Sequence, residues 1–165
     1  MSCRIINRVV ADAASELTDV VGGLRATPAT LSPKYFYDEL GCALYGAICR
    51  LPEYYPTRTE MELFREHRAD MARAMGAGRQ FVDLGAGDCC KAASWLPHVN
   101  PVRYIAVDIA EGEIHMALTR MARDFPDMEL VGLVTDFSCR LELDDVLGPE
   151  AATFFYPGSS IGNFA

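Results

Sequence analysis

Residues 81–88 carry the sequence Phe81-Val82-Asp83-Leu84-Gly85-Ala86-Gly87-Asp88, in which a short apolar run leads directly into a turn with two glycines. A short apolar run bounded by glycine is typical of a buried strand. Glycine permits the tight turn and lets a ligand approach the backbone where a side chain would clash. The stretch therefore predicts a strand, a glycine turn and a following helix.

The same alternation of strand, turn and helix continues through the rest of the chain. Apolar runs predict three further strands at residues 104–108, 130–135 and 153–156, and helical spacing predicts helices at residues 88–96 and 111–125. Alternation of this kind indicates parallel βαβ units. The chain is therefore expected to adopt an α/β fold with a Rossmann-like sheet.

The N-terminal part of the chain has helical spacing instead. Helices are predicted over residues 12–24 and 33–50. Thr57 followed by Glu60 has the capping-box spacing, which predicts the start of a third helix that runs to about Met75. We divide the chain into two parts accordingly: an N-terminal helical lid and substrate-side segment at residues 1–78, and a cofactor-binding sheet domain at residues 79–165.

Composition excludes several classes of protein. The formal net charge of -8 argues against a nucleic-acid binder, because affinity for phosphate backbones comes mainly from clustered Lys and Arg. The six cysteines lack the paired spacing of a zinc site, so we expect no bound metal. We expect the cysteines to be free thiols in a reducing cytoplasm. No run reaches the ~18 apolar residues of a membrane span. A cytoplasmic protein that binds small molecules is the expectation.

Acidic residues follow the second and third predicted strands. Asp108 ends the second strand, where a carboxylate can accept hydrogen bonds from both hydroxyls of a ribose. Asp136 and Phe137 follow the third strand, where a carboxylate and a ring could hold the amino group and the face of an adenine. Together with the glycine turn, these positions at successive strand ends predict a nucleoside site.

Two classes of nucleoside cofactor are open at this point. A nicotinamide dinucleotide, and with it an oxidoreductase, favours a third glycine where this chain has Cys90. Asp88 in the turn would repel a pyrophosphate, whereas it would not repel the sulfonium cation of S-adenosylmethionine. S-adenosylmethionine is the better fit.

Three further segments identify a family. Residues 33–38 (PKYFYD), 51–58 (LPEYYPTR) and 157–164 (PGSSIGNF) resemble stretches of the histidine N-alpha-methyltransferases that begin ergothioneine biosynthesis. With the glycine turn, the resemblance extends in family order from about Leu31 to the last residue. It implies a class I methyltransferase sheet with the first four parallel strands in the order 3-2-1-4, and methyl transfer from S-adenosylmethionine to the alpha-amino group of L-histidine.

The resemblance also implies which residues form the site. The expected cofactor contacts are Gly85, Lys91, Asp108, Asp136 and Phe137, with Gly87 shaping the turn. The expected amino-acid contacts are Tyr54 and Asn163, with Tyr37 and Gly158 lining the same pocket. No catalytic side chain is predicted, because the sulfonium is already an activated leaving group and alignment with water exclusion can carry the reaction.

Family members continue for about as many residues again, so the resemblance implies a truncated chain. An alternative function is therefore a cofactor-binding module, from a truncated or split protein, that has no independent activity and needs a complementing C-terminal chain. Residues 153–156 would then form an unpaired apolar edge strand, which predicts self-association.

Overall fold

A computed structural model describes residues 3–9, 12–138 and 140–163, and the side chain of Asn163 lies outside this description, as does Cys139. The strands are β1 (Cys3–Asn7), β2 (Gln80–Leu84), β3 (Arg103–Asp108), β4 (Glu129–Val134) and β5 (Ala152–Phe155). They form a parallel sheet in the order β1-β4-β3-β2-β5. The four strands that the sequence predicts are β2 to β5, and their predicted order 3-2-1-4 is confirmed.

Helices follow β1, β2 and β3 along the chain. Within the described residues the α-helices are α1 (Ala13–Arg25), α2 (Glu39–Ile48), α3 (Tyr55–Glu66), α4 (Arg68–Met75), α5 (Cys90–Ala93), α6 (Leu96–Val99) and α7 (Glu111–Asp124). Short 3-10 helices lie at Pro33–Phe36 and Ser160–Asn163. No described helix is long and apolar enough to cross a membrane.

Strand β1 is the element that the sequence analysis missed. Its five residues pair in parallel with β4, from Cys3 beside Leu130 to Asn7 beside Val134. Arg8, directly after the strand, forms an ion pair with Asp145. The strand is short and only partly buried, so its sequence lacks the apolar run by which the central strands were recognised.

The two faces of the sheet are covered differently. Helix α7 buries Ile114, Leu118 and Met121 in the cluster on one face, together with Trp95 and Phe64. The other face is covered by the segment between β4 and β5, from which Leu143 and Val146 pack on the central strands. Because the strands are parallel, the carboxyl ends of β2, β3, β4 and β5 meet at one edge of the sheet. Ligands bind at this edge in open α/β sheets.

Two predicted helices are interrupted. The helix expected over residues 33–50 is divided at Asp38, whose Oδ1 accepts a hydrogen bond from the Gly41 N–H at 2.7 Å and so caps α2. The helix expected over residues 88–96 is divided into α5 and α6, because the chain turns after Ala93 and Pro97 starts a new first turn.

The prediction that Thr57 and Glu60 form a capping box at the start of a helix is wrong. Helix α3 begins at Tyr55, with Tyr54 as its N-cap residue and Pro56 in its first turn, so Thr57 lies inside the helix. The helix also ends earlier than expected, at Glu66, and His67 separates it from α4. Glu60 is consequently not engaged in capping, and its carboxylate is available for contacts outside the helix.

Candidate functional site

The glycine turn is held in place by the acid at the end of the next strand. The Gly87 N–H donates to Asp108 Oδ2 at 2.8 Å, and the Ala110 N–H donates to Asp108 Oδ1 at 3.0 Å. The Gly85 N–H also donates to the Val107 carbonyl oxygen at 2.9 Å. Asp108 is 9% exposed, so only a narrow part of its carboxylate can be reached by a ligand. The structure thus brings together Gly85, Gly87 and Asp108, which were predicted from the sequence to lie in one site.

Both glycines adopt conformations that other residues rarely take. The φ angle is +66° at Gly85 and +50° at Gly87, in the left-handed region. A Cβ on Gly87 would meet nothing within 4 Å, whereas one on Gly85 would lie 3.5 Å from the Tyr156 ring. Gly87 therefore presents bare backbone to an open space. Each Asp108 oxygen retains acceptor capacity for a hydroxyl. These features fit the ribose of a nucleoside cofactor such as S-adenosylmethionine.

A buried polar group lies beneath the turn. Asp83 is 2% exposed, and Tyr104 donates its hydroxyl proton to Asp83 Oδ2 at 2.7 Å. Burial raises the pKa of Asp83 to about 7, against the lowering effects of the Tyr104 hydrogen bond and the Lys91 charge. Burial also raises the pKa of the Cys89 thiol to about 12, so this thiol stays protonated and is a poor nucleophile.

Lys91 and Gly158 are brought together by a residue that the sequence analysis did not assign to the site. The Lys91 ammonium forms an ion pair with Glu60 Oε2, and Glu60 Oε1 accepts a hydrogen bond from the Gly158 N–H. A Cβ on Gly158 would lie only 3.1 Å from Lys91 Nζ. Glycine at this position, with φ of +83°, therefore permits both the turn and the close approach of the lysine.

The end of β4 is contacted by the N-terminal segment. Asp136 forms an ion pair with Lys34 at 3.6 Å, and its Oδ1 accepts a hydrogen bond from the Ser138 N–H at 3.0 Å. Partial burial opposes ionisation, but the Ser138 hydrogen bonds and the Lys34 charge hold the pKa of Asp136 below its usual value. A cavity of about 330 Å³ lies beside this pair, lined also by Tyr35.

Aromatic residues flank the same edge. The Phe137 and Tyr156 rings meet edge to face, with 6.1 Å between their centroids. The Ser160 hydroxyl donates to the Tyr156 hydroxyl at 3.4 Å. Tyr156 and Ser160 also border the Gly85 turn. Neither Tyr156 nor Ser160 was predicted from the sequence to belong to the site, although both lie within or beside the 157–164 segment that carries the family resemblance.

The predicted substrate residues on the N-terminal segment lie on separate elements. Tyr54 precedes α3, and its hydroxyl lies 3.5 Å from that of Tyr45 on α2. Partial burial and this hydrogen bond raise the pKa of Tyr45 above its usual value. Tyr37 directly follows the first 3-10 helix, and its carbonyl oxygen accepts from the Cys42 thiol at 3.5 Å. The side chain of Asn163 lies outside the described residues.

Comparison with known proteins decides the family. A family model described as histidine-specific methyltransferase, SAM-dependent, matches residues 16–165. The chain belongs to this family. It is 36% identical to the histidine N-alpha-methyltransferase of Mycolicibacterium smegmatis over 169 aligned positions, which cover 99% of the chain and 52% of the relative.

Other N-methyltransferases are similar over most of the chain. The histidine N-alpha-methyltransferase of Mycobacterium tuberculosis is 35% identical over 88% of the chain and 46% of the relative. The 4-dimethylallyltryptophan N-methyltransferase of Claviceps purpurea is 27% identical over 88% of the chain and 45% of the relative. The chain spans about half the length of the curated relatives it matches.

Proposed function

We propose that the chain provides the cofactor-binding part, and a portion of the acceptor site, of an N-methyltransferase that transfers methyl groups from S-adenosylmethionine to the alpha-amino group of L-histidine. The observation that carries the proposal is the glycine turn locked to Asp108 at the carboxyl edge of the sheet. Membership of a histidine-specific family supports the choice of reaction.

On this proposal the cofactor lies across the ends of β2, β3 and β4. Gly85 and Gly87 provide the backbone surface, and Asp108 accepts from the ribose hydroxyls. Asp136 and Phe137 contact the adenine, and Lys91 contacts the amino-acid end. The acidic side chains at the turn, Asp88 and Asp108, suit a ligand that carries a positive sulfonium. When bound, the cofactor supplies an activated methyl group.

The acceptor would lie on the other side of that methyl group, between the N-terminal segment and the loop after β5. Tyr54 and Asn163 are proposed to contact the amino acid, and Tyr37 and Gly158 to line the pocket. Aromatic faces accommodate the quaternary ammonium that repeated methylation produces. Histidine is favoured as the acceptor because the relatives at 35–36% identity are named for histidine. A place in ergothioneine biosynthesis is proposed from the resemblance of residues 33–38, 51–58 and 157–164 alone.

A second candidate function is a cofactor-binding module that methylates only with a complementing chain. It is favoured by the match to about half of each relative, because the rest of those proteins would supply further acceptor contacts. A cytoplasmic location stays a prediction. It rests on the six cysteines, which lack the paired spacing of a zinc site and are therefore expected to be free thiols.

Calorimetry with S-adenosylhomocysteine, with NAD as the comparison ligand, tests the cofactor site. Mass spectrometry of histidine incubated with the chain and S-adenosylmethionine then tests turnover. Binding of S-adenosylhomocysteine without methylated histidine supports the module, and binding with methylated histidine supports the enzyme. Binding of NAD alone refutes both.

A further inference from the structure

Glu60 lies between the proposed cofactor side and the proposed acceptor side of the site. One carboxylate oxygen is paired with the Lys91 ammonium, and the other accepts from the Gly158 N–H. The Glu60 side chain is 21% exposed, so this carboxylate is mostly removed from water. A single side chain thus connects α3, α5 and the loop after β5.

Helix α3 holds Glu60 at this position through an aromatic anchor one turn further along. Phe64 packs against Trp95 and Phe155, with ring centroids 5.3 Å and 5.9 Å away. Residues four apart lie on the same face of a helix. The anchor that buries Phe64 against the sheet therefore also directs Glu60 toward the sheet edge.

The pairing with Glu60 has a consequence for Lys91. A lysine side chain loses considerable rotamer freedom when it is fixed, and a free lysine would lose this freedom when its ligand binds. Glu60 fixes the ammonium before a ligand arrives. The ammonium has three donors, so it can hold Glu60 and still donate to a second carboxylate.

We propose that Glu60 is a positioning residue that holds the Lys91 ammonium for the carboxylate at the amino-acid end of the cofactor. The inference rests on the proposed function, in which Lys91 contacts that end of S-adenosylmethionine. Because the other Glu60 oxygen holds Gly158, the same side chain fixes the acceptor-side loop relative to this lysine.

Two ligands separate a positioning role from a structural one. S-adenosylhomocysteine carries the amino-acid end, whereas 5′-methylthioadenosine has the same nucleoside without it. In calorimetry on the chain, we expect Glu60→Gln to weaken S-adenosylhomocysteine about tenfold, the effect typical of a perturbed hydrogen bond to a charged group, and to leave 5′-methylthioadenosine unchanged.

Glu62→Gln is the matched control, because Glu62 lies on the same helix and is exposed; both affinities should match those of the unsubstituted chain. Lys91→Met should reproduce the selective loss. The double variant Glu60→Gln/Lys91→Met should lose no more than Lys91→Met alone, since the two residues act through one contact.

Equal weakening of both ligands by Glu60→Gln would overturn the inference, because it would show a general disturbance of the site. Unchanged or tighter binding of S-adenosylhomocysteine would overturn it as well. In both cases the proposed function stands if the unsubstituted chain binds S-adenosylhomocysteine. If that chain binds neither ligand, the proposed function fails and the inference fails with it.

Discussion

The change Asp83→Asn tests the electrostatics beneath the glycine turn. Asp83 is 2% exposed, and one oxygen accepts from the Tyr104 hydroxyl. The other oxygen, Oδ1, is buried and has no hydrogen-bond partner in the part of the chain that the structure describes. An ionised carboxylate in this place lacks the compensation that a buried charge needs.

The sign of the effect follows from the raised pKa. Burial raises the pKa of Asp83 from 3.8 to about 7, so the folded state binds the proton more tightly than the unfolded chain does. The stabilising contribution of the protonated acid is fully present below about pH 4 and is lost as the pH rises through about 7. A rise in the pKa of Asp83 from 3.8 to about 7 corresponds to a loss of about 4 kcal/mol in the free energy of unfolding once the pH exceeds about 7.

Asparagine resembles the protonated acid at every pH and can still accept from Tyr104. Asp83→Asn should therefore leave the free energy of unfolding nearly unchanged at about pH 4 and raise it by up to about 4 kcal/mol at about pH 8. Urea unfolding at both pH values measures this difference. Asp127→Asn, at an exposed position, should change stability equally little at both. The reasoning is refuted if Asp83→Asn has the same effect at the two pH values.

Further predictions concern the turn and the sheet edge. Asp108→Asn should lower the free energy of unfolding, measured by urea unfolding, by about 1–3 kcal/mol, because an amide group cannot accept from both backbone N–H groups. It should also weaken the binding of S-adenosylhomocysteine, measured by calorimetry. Gly87→Ala should lower the free energy of unfolding by about 1–2 kcal/mol, because alanine is strained at the Gly87 φ of +50°. It should reduce S-adenosylhomocysteine binding more strongly than this loss explains, because the added Cβ enters the open space beside the turn. Phe154 is 54% exposed on the edge strand β5, so Phe154→Lys should reduce self-association of the chain in light scattering at matched concentrations. Equal scattering of the two chains would exclude this edge as the contact.

The features of this molecule that the sequence predicts well are those decided by neighbouring residues. The buried strand before Gly85 and the acid at the end of β3 follow from apolar runs and glycine. The order of β2 to β5 follows from the family resemblance and is confirmed. Local pattern was sufficient here because burial on both faces makes these strands nearly continuous in apolar residues.

Contacts between distant residues were not predicted. Glu60 has a capping-box spacing after Thr57, but Pro56 starts the helix earlier and leaves the carboxylate for Gly158, 98 residues away. Local spacing alone does not reveal such a pairing. The short edge strand β1 was missed because it is only partly buried and lacks a long apolar run. Its partner β4 lies more than a hundred residues further along the chain, so no neighbouring residue indicates the pairing.

These distant contacts bear on the role of the N-terminal segment. Lys34 pairs with Asp136, Glu60 pairs with Lys91, and Phe64 packs under Phe155. Each contact joins a residue before the predicted boundary at residue 78 to the carboxyl edge of the sheet. A ligand at that edge would therefore meet charges already paired with the N-terminal segment. Its affinity should therefore depend on both parts of the chain, and we expect substitutions at Lys34 or Glu60 to change ligand binding at the proposed site.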